Sequence, residues 1–125
     1  MFDSPKVFNG FAVDDLEAAR RFYGETLGLE VSVLDEENGL LSLGVGDPDT
    51  LVYLSPDMTP PSYTILNFPV DDIDAVVDEL AGRGVEFERY DAFEQDDRGV
   101  ARGPGPDIAW FKDPAGNTLS VLTQP

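Results

Sequence analysis

A hexapeptide that occurs twice constrains this chain more than any other feature. Phe11-Ala12-Val13-Asp14-Asp15-Leu16 returns as Phe68-Pro69-Val70-Asp71-Asp72-Ile73, an offset of 57 residues. Farther on, Leu27-Gly28-Leu29-Glu30-Val31 is answered by Arg83-Gly84-Val85-Glu86-Phe87 at an offset of 56, so the second copy has lost one residue inside the intervening helix. Each half closes around a Pro-containing turn, Gly46-Asp47-Pro48-Asp49 in the first and Asp113-Pro114-Ala115-Gly116-Asn117 in the second. Self-similarity on this scale marks a duplicated supersecondary unit.

Each copy reads as βαβββ. In the first, Val7–Val13 is rich in β-formers, and Asp14 or Asp15 supplies a helix N-cap, with Glu17 three residues after Asp14 as in a capping box. Leu16, Ala19, Tyr23 and Leu27 recur at helical spacing before Gly28 stops the helix, leaving Arg20, Arg21 and Glu25 toward water. Strands are expected at about 30–34, 40–44 and 51–54. The second copy predicts a strand over 63–70, a helix from Asp72 with Ile73, Val76, Val77 and Leu80 on one face, and strands over 85–90, 108–112 and 118–123. The segment 91–107 between them is acidic and then rich in Gly and Pro, fitting an irregular strand around Val100-Ala101-Arg102 or a loop. Module one spans about 5–55, a linker with three prolines about 56–62, and module two about 63–124, within one domain over 1–125. The fold class is α+β.

Charge and missing residue types exclude much chemistry. The chain has 25 acidic against 8 basic residues, a net charge of −17, which repels a nucleic-acid backbone. The same field either attracts a cationic ligand or is a solvation adaptation, for instance to high salt. Cys and His are both absent, which removes disulfides, thiolate nucleophiles and the two commonest soft metal ligands. No apolar run is long enough to span a bilayer, and the N-terminus has no signal-peptide pattern, so the expected location is cytoplasmic.

Val13-Asp14-Asp15-Leu16, Arg21-Phe22-Tyr23, Leu27-Gly28-Leu29 and Trp110-Phe111-Lys112-Asp113-Pro114-Ala115-Gly116-Asn117 together resemble the vicinal oxygen chelate superfamily of glyoxalases, bleomycin resistance proteins and extradiol dioxygenases. The resemblance covers essentially the whole chain. It implies two βαβββ modules whose mixed sheets curve into a cup with helices outside, and a ligand inside the cup. Enzymes of the family hold a divalent metal there, typically with His near the start of each first strand and Glu or His on each last strand. By the family's spacing those positions fall on Phe8, Ile65, Val52 or its neighbour Tyr53, and Ser120. None is a metal ligand, and shifting the count by one residue reaches only Asn9 as a weak oxygen donor. No metal and no cofactor are therefore expected.

Strand alternation directs Phe8, Gly10, Ala12, Ile65, Asn67 and Pro69 away from the helices, together with Trp110, Lys112, Ser120 and Leu122 on the closing strands. Candidate ligand-binding residues are thus Phe8, Val52, Ile65, Asn67, Arg102, Trp110 and Ser120: Trp110 for stacking, Asn67 and Ser120 for hydrogen bonds, and Arg102 for an anionic group at the cup mouth. Trp110 and Phe8 serve equally well as core filling. The Asp14-Asp15 and Asp71-Asp72 pairs are read as helix caps. No nucleophile–base pair stands out, and no catalytic residue is assigned. The expected function is metal-free binding of a hydrophobic or cationic small molecule by a homodimer, like the drug-sequestering members of the family. The alternatives are a lyase or dioxygenase with a displaced carboxylate site drawn from Asp91–Asp97, a metal-free isomerase using Tyr or Asp, or a cup filled by its own side chains.

Overall fold

The computed structural model describes residues 1–124 and has an α+β architecture built from two mixed sheets. Two compact units, Met1–Pro60 and Pro61–Pro125, meet inside the proline-rich segment.

In the first unit a single 3-10 turn, Ser4–Lys6, precedes β1 (Gly10–Val13). The expected strand thus starts later than Val7, after Pro5 has set the turn. Helix α1 (Leu16–Arg21) is capped by Asp15, whose Oδ1 accepts from Ala18 N at 3.0 Å. The expected capping box does not form: the Glu17 carboxylate accepts from Arg20 at 2.6 and 3.0 Å and from Arg21 at 3.2 Å. The helix then widens into a π turn, Phe22–Thr26, closed by Leu27 N donating to Phe22 O at 2.9 Å. A π turn takes up one extra residue without breaking the helix. That accounts for the change of offset between the repeats. Tyr23, 1% exposed, packs against Phe11 with ring centroids 5.6 Å apart, so the longer copy keeps its apolar stripe on the sheet.

Strands β2 (Val31–Asp35), β3 (Leu40–Leu43) and β4 (Thr50–Leu54) complete a sheet of order β1-β4-β3-β2, with β1 parallel to β4 and the other pairs antiparallel. Phe11, Val52 and Leu41 align across three strands, all buried on the face that carries Tyr23. Burying such a row stabilises the sheet by roughly 1.5–3 kcal/mol per side chain.

In the second unit β5 (Thr64–Val70) leads into α2 (Ile73–Gly82), where Asp72 Oδ1 accepts from Ala75 N at 3.1 Å. Ile73, Val77 and Leu80 are buried. Strands β6 (Ile108–Lys112) and β7 (Thr118–Thr123) give a sheet of order β5-β7-β6, with β5 parallel to β7. The turn between them is built on Asp113, buried at 4%: its Oδ1 accepts from the amides of Ala115 and Asn117 at 3.0 and 2.8 Å. The strand expected over 85–90 does not form. It shrinks to one bridge, Phe87 with Phe111, and one further bond from Glu88 N to Trp110 O at 2.7 Å. The segment around Val100-Ala101-Arg102 touches the same edge through Ala101 and Ile108.

Candidate ligand site

The three-stranded sheet has two unlike faces. Leu119, Val121, Ala109 and Phe111 are buried on one, each exposed by 3% or less. On the other, Asn67, Ser120 and Trp110 stand in a row across β5, β7 and β6. Ser120 Oγ donates to Asn67 Oδ1 at 2.6 Å, so the two polar groups of the row satisfy each other while Asn67 keeps an exposed edge. Ile65 is half-buried at the register shift between Thr64 and Leu66, which leaves it outside the ladder.

Trp110 is the centre of an aromatic cluster. Phe93 stacks on it at 4.9 Å with an interplanar angle of 29°, and Tyr90 meets it edge-on at 5.3 Å. Trp110 and Phe93 line a cavity of about 470 Å³ whose other apolar walls are Ile108, Pro104 and Pro106. Its polar members are Glu94 and Arg102. The loop that supplies one wall is stapled by Gln95: Oε1 accepts from Tyr90 N at 2.7 Å, and Nε2 donates to Glu88 O at 2.9 Å and to Gly99 O at 2.7 Å. Gly99 is required where the loop passes Phe87, because its φ is +97° and a Cβ there would lie 3.0 Å from Phe87 Cβ.

Arg102 does not wait at a cavity mouth for an anion. Its guanidinium donates to Asp74 Oδ1 at 2.5 Å, to Asp107 Oδ2 at 3.1 Å and to Asp96 Oδ2 at 3.3 Å, because α2 brings Asp74 beside the loop. Arg98 joins the same cluster through Asp74 and through Asp78 at 2.7 Å. Burial works to raise the Asp96 pKa, but the amides of Val100 and Arg98 and the Arg102 guanidinium outweigh it, so the carboxyl lies below its ordinary range. Two guanidiniums here face four aspartates, with Glu94 beyond them, so the field near the aromatic cavity stays negative.

In the first unit Phe8 is 58% exposed and lines a shallower cavity of about 280 Å³ with Leu34, Ser42, Pro48 and Leu51. Val52 is a correction. It is 1% exposed in the row of Phe11 and Leu41, on the helix-side face, and out of a ligand's reach; Tyr53, at 42%, takes the opposite face. Sequence reasoning missed Phe93, Ile108 and Glu94 as site residues. Ile108 shares the parity of Trp110, but Phe93 lies in a segment with no periodicity to direct it.

The positions where the family resemblance places metal ligands do not fit a metal ion. Phe8 and Ile65 bring no donor, Val52 is in the core, Tyr53 beside it brings a single phenol, and the Ser120 hydroxyl is fully buried and donates to Asn67. Among the described residues no three His, Cys, Asp or Glu side chains converge to hold a cation. Of the acids in the Asp91–Asp97 loop, Asp96 is already taken up by Arg102 and backbone amides. A hard cation needs several oxygen ligands in place of its water shell.

The three-stranded sheet thus carries an apolar, aromatic-walled cavity that also holds two charged groups, a composition shared with small-molecule pockets. Residues 8–121 match the family described as the Glyoxalase/Bleomycin resistance protein/Dioxygenase superfamily, and the chain belongs to it. TnmS3, an antibiotic binding protein from Streptomyces sp. CB03234, is similar at 27% identity and a TM-score of 0.71, over 96% of this chain and 97% of that one. A glyoxalase family protein from Enterococcus faecalis is similar at 27% identity and a TM-score of 0.68, over 92% and 94% of the respective chains. A member of the same superfamily from Sphaerobacter thermophilus DSM 20745, at 24% identity and a TM-score of 0.69 over 94% and 97%, shares the fold. No curated protein matches this chain.

Proposed function

We propose that this protein is a metal-free small-molecule-binding protein that works as a homodimer and sequesters a hydrophobic or cationic compound. The observation that carries the reading is the cavity of about 470 Å³ at Trp110, within the ~300–1,000 Å³ range of ligand pockets and walled mainly by apolar side chains. The unsuitable residues at the family's metal positions support binding over metal-assisted turnover. The antibiotic binding protein among the similar structures supports the same choice. A net charge of −17 raises the local concentration of cationic compounds. No helix among the described residues is long and apolar enough to cross a membrane, and the proposed site of action is the cytoplasm.

A thermal-shift screen of hydrophobic and cationic compounds, run with and without divalent metals, tests this. A true ligand at a hundredfold excess over its Kd raises Tm by roughly 10 °C, and the rise is indifferent to chelator. One equivalent of Mn, Fe, Zn or Ni retained per chain, measured by elemental analysis on untagged protein, overturns the reading.

A further inference from the structure

The loop wall of the aromatic cavity differs from its sheet wall. Trp110 and Ile108 are fixed in β6, each paired with a residue of β7. Phe93 is 50% exposed, and its neighbours Asp91, Ala92 and Glu94 are exposed as well. The tip is folded by a turn in which Phe93 N donates to Tyr90 O at 3.1 Å. Below the tip, Gln95 clamps residues 88, 90 and 99 with three hydrogen bonds of 2.7 to 2.9 Å. The segment is therefore anchored at its neck by Gln95 and exposed at its end, where ring contacts of Phe93 with Trp110 and Tyr90 hold it to the sheet, the arrangement of a small flap.

At 4.9 Å and 29° Phe93 is in stacking contact with the indole, leaving no gap for a third ring between the two. It is a phenyl group in the place where a flat ligand gains most. We infer that Phe93 is a displaceable cover: it holds the position on Trp110 that a planar aromatic cation takes, and ligand binding moves the Asp91–Glu94 tip off the indole. The inference rests on the proposed binding function and names its ligand class. The positive charge follows from the surroundings. Glu94 lines the same cavity beside Phe93, and the one guanidinium there, Arg102, is matched by Asp74, Asp96 and Asp107. A cation over an indole face in a negative field has two sources of attraction, and an anion has neither.

Trp110 is the only tryptophan of the chain, so its emission reports the site directly. The test titrates wild type, Phe93→Ala and Glu94→Gln with N-methylacridinium, a permanent planar cation, and with acridone, a neutral ring of the same size. Wild type is expected to bind the cation with quenching of Trp110. Removing the cover lets Phe93→Ala bind both probes about three- to tenfold more tightly, because the aromatic pair no longer has to be broken. Glu94→Gln narrows the preference for the cation over acridone, weakening cation binding more than acridone binding. Weaker binding by Phe93→Ala, with wild-type quenching intact, makes Phe93 an ordinary wall and overturns the cover while the binding function stands. Equal binding of cation and acridone by wild type overturns the ligand class. Absence of quenching by either probe in all three proteins overturns the inference and its site together. Phe93→Leu, which keeps bulk without a ring, is expected to behave like Phe93→Ala and guards against a local folding defect.

Discussion

After its helix, the first module lays down β2 as a full outer strand against β3, whereas the second module pairs at Phe87 alone before its chain leaves the sheet edge. Otherwise the two orders agree. The first strand lies parallel to the last, β1 on β4 and β5 on β7, and the preceding strand lies antiparallel on the far side. An outermost strand has one hydrogen-bonded neighbour instead of two, so its pairing is lost at the least cost to the sheet. The chain released there supplies the loop wall of the aromatic cavity, against Ile108 and Trp110 of β6. A duplicated framework thus stays constant where strands are flanked on both sides and diverges at its edge, where connecting segments are free to take on function.

Two substitutions test whether the difference lies in that edge. Phe87 is held at the sheet by Phe111, their ring centroids 5.7 Å apart and Phe111 1% exposed. Phe111→Ala is expected to cost about 3–5 kcal/mol in urea unfolding, with loss of the cavity through release of the chain beyond Phe87. Val33→Ala, on the exposed face of the intact β2, should stay within about 0.5 kcal/mol. Similar costs for the two would mean that the bridge at Phe87 holds nothing. Gln95→Ala comes next. It strips hydrogen-bond partners from Tyr90 N, Glu88 O and Gly99 O, an expected loss of about 1–3 kcal/mol. The check is hydrogen exchange: the Tyr90 amide should lose protection while the amides of β7 keep theirs.

The framework was legible because it was written twice. Repeated hexapeptides gave the strand-to-helix junctions, and the caps at Asp15 and Asp72 follow from their position before an apolar stripe. Even the change of offset has a visible counterpart in the π turn at Phe22–Thr26. Alternation along β5, β6 and β7 puts Asn67, Ser120 and Trp110 on one face, and the row is there. Less was legible beyond that framework. Val52 came from counting through a borrowed pattern, and period two turns a one-residue error into the wrong face. Arg102 is bound by Asp74, 28 residues away, a contact that only the packing of α2 creates. Phe93 sits in a stretch whose conformation is set by Gln95 and by Trp110 rather than by its own neighbours.

The smallest effect is also the sharpest separation of the modules, because it compares acids perturbed in the same direction. Asp96 and Asp35 both have lowered pKa values. In Asp96 burial opposes the shift and amide and Arg102 hydrogen bonds overcome it; in Asp35 the hydrogen bond from the Asn38 side chain leads. A carboxyl lowered by folding contributes stability that is present above its unfolded value of about 3.9 and is lost as pH falls through the folded value. Both should therefore weaken their segments only in acid, below about pH 4. The consequences differ. Asp96 ties the Val100 amide and Arg102 to the cavity loop, so the Trp110 emission should shift on that acid limb, and Asp96→Asn should abolish the shift at a cost under about 1 kcal/mol at neutral pH. Asp35→Asn, in the outer strand of the other module, should leave Trp110 unmoved at every pH. A Trp110 response to Asp35→Asn would tie the cavity to β2 and dissolve the contrast between an edge that pairs and an edge that binds.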